Sequence, residues 1–129
     1  MKTNELQIGD WVLIYGAPCK IQAVDGVDDE IVADDELYTL AEDRYHSEDR
    51  VEGVPITPEI LEKNFEKKTF YGIYDDYFDL DIREYSDSIY VVTFHNCEMN
   101  SPDQQMIFSF VHELQHFLNH CGIEKEIKL

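Results

Sequence analysis

Short apolar segments, each closed by turn-forming residues, are the feature of this chain that most restricts its fold. The apolar segment Trp11–Tyr15 follows Gly9-Asp10 and is closed by Gly16-Ala17-Pro18. In the next segment, CKIQAV, alternate residues point to opposite sides, which predicts a half-buried strand. The segments EIVA and LYTLA follow after acidic turns, so the first half reads as a series of short strands.

Four or five short strands at this spacing predict a small, strongly bent antiparallel barrel, of the kind found in KOW, Tudor and Src-homology-3 domains. Gly9 and Trp11 could line a binding groove of such a barrel, although both residue types are ordinary at turns and in cores. Gly53 and Pro55 interrupt the strand pattern. They place a boundary between a barrel-like subdomain, residues 1–55, and a second subdomain, residues 56–129.

The second half opens with a helix start at Thr57-Pro58-Glu59, which offers a hydroxyl cap, a proline and an acid. A short helix is predicted from Pro58 to Asn64. The segments TFYGIY, YFDLDIR and SIYVVTFH then predict a three-stranded antiparallel meander with one solvated face. Asp79 and Asp81 share that face and could be paired catalytic carboxylates, but solvated alternation is the simpler interpretation.

The C-terminal segment has a second helix start. Ser101-Pro102-Asp103-Gln104 places serine at the cap, proline at the first helical position and glutamine three residues after the cap. Gly122 is suited to end a helix, so a long helix is predicted from Pro102 to Cys121. At the helical period its apolar residues share one face: Met106, Ile107, Phe110, Val111, Leu114, Phe117, Leu118 and Cys121.

These elements together predict an α+β protein. Its parts are a small antiparallel Src-homology-3-like β-barrel, then a helix, a three-stranded antiparallel meander and a long C-terminal helix. The two subdomains are expected to pack as one unit.

The last helix contains the only motif with specific chemistry, His112-Glu113-Leu114-Gln115-His116, which has the spacing of the H-E-x-x-H zinc motif. Two imidazoles one helical turn apart can converge on one ion. Glu113 could then polarise a zinc-bound water as a general base. The motif therefore raises a zinc-dependent hydrolase or peptidase as one hypothesis.

A catalytic zinc site requires a third protein ligand, and the expected offset downstream holds Gly122. The remaining candidates are His120 on the same helix and three upstream residues, namely His46, His95 and Cys97. None of these lies at a spacing that completes the motif. We therefore expect an exposed polar helix face, with no catalytic, metal or cofactor residue. Zinc bound by His112, His116 and His120 stays the alternative.

The net charge of the chain favours some classes of binding partner over others. The formal net charge is -18, from 28 acids and 10 bases, and such a surface repels a phosphate backbone, so direct nucleic-acid binding is disfavoured. The acidic runs are expected to be solvated loops, with docking to a basic protein as the alternative. No apolar segment is long enough to span a membrane, the start lacks a signal peptide, and three cysteines make a poor disulfide framework. A cytoplasmic location is expected.

Three segments of the chain together carry a resemblance: ELQIGDWV, PITPEILEKNFEK and VHELQHFLNHCGIEKEI. They resemble a large group of small proteins of unknown function from Bacteroides and related bacteria, often found near phage and other mobile elements. The resemblance covers nearly the whole chain and implies no activity. That group often has forms similar to HQLQN in this helix, so no zinc role carries over to His112 and His116. The acidic stretch Asp25–Asp49 is longer here than in that group.

Two hypotheses about function follow. The first is a non-enzymatic cytoplasmic accessory or protein-interaction module with a strongly acidic surface and an unknown protein partner. A basic partner fits the charge best. The second is the minimal zinc-dependent hydrolase that uses Glu113 as its base.

Overall fold

Two five-stranded antiparallel sheets dominate the computed structural model, which describes residues 1–41, 48–97 and 102–129. The chain divides into two compact units, Met1–Val54 and Pro55–Leu129. The described part of the chain holds two α-helices, so this protein is mostly β, and the prediction of an α+β fold class is wrong.

The first unit is a sheet in the strand order β4-β3-β2-β1-β5, preceded by a short 3-10 helix. The 3-10 helix is Thr3–Glu5, and the strands are β1 Trp11–Ile14, β2 Ala17–Asp25, β3 Glu30–Ala33, β4 Glu36–Thr39 and β5 Val51–Gly53. Its core consists of Leu6, Val12, Ile14, Cys19, Ile21, Ile31, Ala33, Leu40 and Val51. Those in β1, β2 and β3 come from alternate strand positions, as the period-2 segments predicted, whereas Leu6 and Leu40 lie just outside the strands.

Two-residue turns set the register of the first sheet. Tyr15 and Gly16 join β1 to β2 with φ of 49° and 82°, and Asp34 and Asp35 join β3 to β4 with φ of 51° and 61°. Positive φ at both turn residues is the backbone that best matches the twist of a tight hairpin. Glycine and aspartate tolerate it better than most residues.

The predicted Src-homology-3-like barrel is not closed in the described part of the chain, where β4 and β5 are the two edges of an open sheet. Asp49 makes the connection at those edges. Its N–H donates to Thr39 O and its Oδ2 accepts from Thr39 N, both at 2.7 Å. Closing a barrel requires a continuous ladder between the edge strands, and a single residue that bonds both backbone groups does not provide one.

The second unit has the sheet order β10-β9-β8-β7-β6, with one helix before the sheet and one after it. The elements are α1 Pro58–Asn64, β6 Glu66–Lys67, β7 Tyr71–Tyr74, β8 Phe78–Ser86, β9 Ile89–Asn96, β10 Gln104–Phe108 and α2 Val111–His120. Helix α1 has the predicted bounds, and Thr57 Oγ1 accepts from Ile60 N at 3.3 Å at its start. Leu80 and Ile82 of β8 are buried, which confirms the alternation predicted there.

The long helix predicted from Pro102 to Cys121 is wrong. Residues Gln104–Phe108 form a strand, and the helix covers only Val111–His120; the expected cap, Ser101, lies outside the described residues. Pairing with β9 explains the change, because the register Met106↔Val92 and Phe108↔Tyr90 buries Phe108 and half-buries Met106 beside the buried face of β9. A ladder across five residue pairs outweighs the helical preference of the segment.

The C-terminal tail is held in the second unit by the side chain of Asn64. The Asn64 amide donates to Lys128 O at 2.6 Å and to Ile60 O at 2.7 Å, and its oxygen accepts from Lys128 N at 2.7 Å. Ile123 and Ile127 of the tail are buried. A side-chain amide thus replaces the strand that would otherwise pair with this extended segment.

Candidate functional site

Glu113, the proposed general base of the zinc motif, sits in the first turn of α2 and caps it. Its Oε1 accepts hydrogen bonds from Ser109 N and Phe110 N, both at 3.1 Å. Phe110 is extended, with φ of -121° and ψ of 149°, so the backbone turns sharply from strand to helix at this point. N–H groups at a helix start have no partner inside the helix, and a carboxylate there also faces the positive end of the helix dipole.

His112, the first histidine of the motif, is buried at 6% exposure, so the prediction of an exposed helix face is wrong for this residue. Its ring stacks on the Phe110 ring with centroids 5.9 Å apart. It also meets the His116 ring edge-on, with centroids 5.8 Å apart. The cause is the shorter helix. Because α2 begins at Val111, the first turn lies against the core, and His112 is buried with Val111 and Leu114.

In the described part of the chain, the other proposed zinc ligands do not join His112 in a group of three. His116 is half-buried and His120 is exposed on α2, whereas His95 Nδ1 lies 2.5 Å from Asp103 Oδ1 on the sheet. Cys97 is exposed at the end of β9, and His46 lies outside the described residues. Within residues 1–41, 48–97 and 102–129, no three His, Cys, Asp or Glu side chains are grouped to hold a metal ion. The prediction that no zinc is bound, and its alternative of a zinc site, both stay untested.

Asp79 and Asp81 alternate with the buried Leu80 and Ile82, as predicted, but both are half-buried and not fully solvated. Asp81 Oδ1 accepts from the Tyr74 hydroxyl at 2.8 Å, and Asp79 lies opposite His95 in the ladder. The pKa of Tyr74 is raised to about 12, mainly because the hydroxyl is partly buried and secondly because it donates a hydrogen bond to Asp81. Tyr74 is therefore protonated at neutral pH and serves as a hydrogen-bond donor.

Gly72 explains why Tyr74 can fold back over this face. A Cβ at Gly72 would lie 1.9 Å from the carbonyl oxygen of Leu80 and 3.1 Å from the Tyr74 hydroxyl. The strand therefore requires glycine here, and the Tyr74 hydroxyl lies in the space that a side chain at this position would need. The carboxylate pair is thus part of the packing of the sheet surface, which favours the structural interpretation of the two acids.

A shallow groove of about 440 Å³ lies on the second unit beside β10. Its lining combines apolar, aromatic and basic side chains: Arg83, Tyr85, Val91, Gln105, Met106 and Ile107. Ile107 and Tyr85 are 60% and 70% exposed. Sequence reasoning missed this groove because it assigned Met106 and Ile107 to the core face of a helix. The signal that could have found it is QQMIF, a run without charge in a chain with 29% charged residues.

Carboxylates project from the turns of the first unit. Asp25 Oδ1 accepts from Val27 N at 2.9 Å and from Asp28 N at 3.2 Å, which fixes the β2–β3 turn, and Val27 at its tip is 92% exposed. The β3–β4 turn presents Asp34 and Asp35, both exposed. Because β3 joins these two turns, they lie at opposite ends of one short strand.

Gly9 and Trp11, the two residues that could have lined a barrel groove, hold the start of the first sheet. Gly9 has φ of 91°, and its N–H donates to Ile21 O at 2.8 Å. Trp11 is half-buried, opposite Lys20 in the ladder, whose Nζ lies 5.1 Å from the indole centroid. Both positions are explained by turn and packing geometry.

Comparison of the chain with protein-family models, curated proteins and solved structures finds no match. The resemblance to the Bacteroides group therefore stays a prediction. In the described part of the chain, no helix has the length and apolar character to cross a membrane. The geometry and charge of the residues above are what bears on function.

Proposed function

We propose that the protein is a non-enzymatic cytoplasmic module that binds a basic protein partner through its acidic surface. The observation that carries this proposal is the projection of exposed carboxylates from the β2–β3 and β3–β4 turns in a chain of net charge -18. Opposite charge attracts such a partner before contact and raises the association rate.

The shape of the first unit supports this assignment. Both turns are short and internally bonded: Asp25 binds two N–H groups of its own turn, and Gln22 Nε2 donates to Asp35 Oδ1 at 3.2 Å while its Oε1 accepts from Asp35 N at 2.8 Å. Carboxylates on fixed backbone lose little conformational freedom on binding. A basic surface of a partner can therefore meet charges that are already in place.

The capping role of Glu113 supports the interaction module over the zinc-dependent hydrolase. To act as a general base, Glu113 must orient a carboxylate oxygen toward a metal-bound water. Here Oε1 binds two backbone N–H groups that otherwise lack a helical partner. Using this carboxylate for catalysis would weaken the start of α2.

Calorimetric titration with lysozyme, a folded cationic protein, tests the proposal. We expect binding at 20 mM NaCl, where the Debye length is roughly 20 Å and screening is weak. The affinity should fall at least about tenfold at 0.15 M, where the Debye length is about 8 Å. The triple variant Asp28→Asn, Asp34→Asn, Asp35→Asn should bind at least about tenfold more weakly, by about 1.4 kcal/mol. Asparagine tolerates the same turn conformations, so the fold is kept.

The matched control neutralises three exposed acids of the second unit, Asp76→Asn, Glu84→Gln and Asp87→Asn. Both triple variants change the net charge equally. We expect the control to lose less than half of the binding free energy that the first variant loses. Equal losses would show that net charge alone attracts lysozyme, and the proposed surface would be wrong.

A further inference from the structure

The four edge strands of the two sheets differ in charge. Glu36 lies in β4, Glu52 in β5, and Glu66 and Lys67 in β6. The fourth edge strand, β10, reads QQMIF and has no charged residue. Charged side chains, prolines and bulges are the usual means by which an edge strand avoids pairing with another chain.

Strand β10 also lacks a bulge. Its five residues pair with β9 in one continuous register from Gln104↔Phe94 to Phe108↔Tyr90. In the part of the chain that the structure describes, no strand pairs with its other edge. Gln104, Gln105 and Ile107 are exposed there. The edge therefore offers regular backbone donors and acceptors beside an exposed apolar side chain.

The groove described above follows this edge. Ile107 lies opposite Val91, and Val91 lies opposite Arg83, so these three side chains form one row across the sheet. Ile107 and Val91 give the row an apolar floor, and Tyr85 stands beside it. Side chains at alternate positions of an added strand would pack on this row, which is how strand addition gains specificity.

Pairing with an extended segment already occurs just after β10. Pro55 forms an antiparallel bridge with Phe110, and Ile56 N donates to Ser109 O at 3.0 Å. The backbone next to β10 thus accepts an extended neighbour from its own chain.

Charge identifies the occupant. A second copy of the chain would bring another net charge of -18, which opposes self-pairing, whereas a basic segment is attracted. Within the groove the one charged side chain is Arg83, so residues that face the groove should be apolar. Asp103, immediately before β10, contacts His95 Nδ1 through Oδ1, and its side chain is still 47% exposed, so its carboxylate can also meet a basic residue at the end of the segment.

We propose that the open edge of β10 binds an extended segment of the partner, with apolar residues in its centre and basic residues at its ends, as a sixth strand of the second sheet. This inference rests on the proposed function for the sign of the partner's charge. It adds where and how that partner docks.

The test uses the acetylated, amidated peptide KKVTVTVKK and the full-length chain. Affinity is measured by isothermal titration calorimetry, and amide hydrogen exchange locates the binding. We expect the peptide to slow exchange at Gln104–Phe108, and the peptide KKVTPTVKK, of equal charge, to bind at least about tenfold more weakly because proline removes a ladder donor and disfavours a strand.

Two protein variants give a matched comparison. Ile107→Lys places a charge on the β10 edge and should weaken binding at least about tenfold, whereas Leu37→Lys, on the β4 edge, should leave it unchanged. The two side chains are 60% and 61% exposed, so both substitutions are compatible with the fold. If the Ile107→Lys variant does not fold, hydrogen exchange and the comparison of the two peptides on the natural chain still test whether β10 binds the peptide as a strand.

The outcomes separate the two proposals. Equal binding of the proline peptide, or protection at β4 in place of β10, overturns strand addition, and lysozyme binding through the acidic turns then still supports the proposed function. No peptide binding also overturns it. Protection at β10 without lysozyme binding supports the edge site and contradicts the acidic turns as a docking surface.

Discussion

The two sheets each have five antiparallel strands, but the charge on their exposed edge strands and turns differs. In the first unit both edge strands carry a glutamate, and the turns between strands present carboxylates. In the second unit one edge, β10, is uncharged and lies beside an apolar groove. The same architecture can therefore present fixed charge in one unit and an open strand edge in the other, and this difference lies in turn and edge residues.

The largest expected effect is a difference in stability between glycine-to-alanine substitutions in the two units. Gly72→Ala should destabilise the second unit by about 3 kcal/mol or more, because the new Cβ would lie 1.9 Å from Leu80 O in the neighbouring strand. Gly26→Ala in the first unit should cost less than about 1 kcal/mol, since the nearest atom, Thr3 Oγ1, is 3.9 Å away. Urea unfolding of both variants measures the difference. Equal losses would mean that the second sheet can shift at Gly72.

The next effect concerns the core of α2 in the second unit. Leu114→Ala should cost about 2 to 5 kcal/mol because Leu114 is fully buried. His112→Ala should cost about 1 to 3 kcal/mol, because it removes a buried ring stacked on Phe110. His120→Ala, at an exposed position, should stay within about 0.5 kcal/mol. Thermal unfolding ranks the three, and a His112 variant as stable as the His120 variant would contradict the burial of His112.

A smaller loss is expected at the tail of the second unit. Asn64→Ala removes the partner of Lys128 N and Lys128 O, and because these two hydrogen bonds are part-buried their loss should cost about 1 kcal/mol. Asn64→Ala should also speed proteolysis of the tail. The neighbouring exposed residue gives the control, since Lys63→Ala loses one exposed bond to Leu129 O. Equal protection of the tail in both variants would show that Ile123 and Ile127 alone hold it.

The smallest effect is a difference in alkaline stability. A raised pKa in the folded state means that Tyr74 contributes stability that is fully present below its unfolded pKa of 10.0 and is lost as pH rises through about 12. The Tyr74→Phe variant should lose less stability between those two values than the natural protein. Denaturant unfolding at pH 9 and at pH 11 measures this, and parallel pH curves for the two proteins would show that the tyrosine does not titrate with folding.

The sequence predicted the elements whose signals are local. Thr57 and Pro58 fix the start of α1 through a cap and a proline, and Leu80 and Ile82 reveal a half-buried strand through period 2. The sequence wrongly predicted closure of the first sheet into a barrel, because whether two edge strands pair depends on strand positions that no single segment encodes.

The segment from Gln104 to Val111 shows why the candidate sites were harder to predict. Its apolar residues fit a helical face and an alternating strand equally, and only the presence of β9 as a neighbour favours the strand. Once the helix is shortened, His112 moves from a predicted polar face into the core, and Ile107 moves from the core to an exposed edge. Both changes follow from the tertiary packing of one segment.

The HELQH stretch lies at the start of α2, and we propose that function lies on the charged turns and the open strand edge. Zinc titration of chelator-dialysed, untagged protein tests this most directly, with binding followed by calorimetry and by melting temperature. We predict weak binding with an unchanged melting temperature, because His112 is buried and does not present its imidazole to solvent beside His116. A submicromolar zinc site that raises the melting temperature by several degrees and disappears in His116→Ala would show that the HELQH stretch is a metal site.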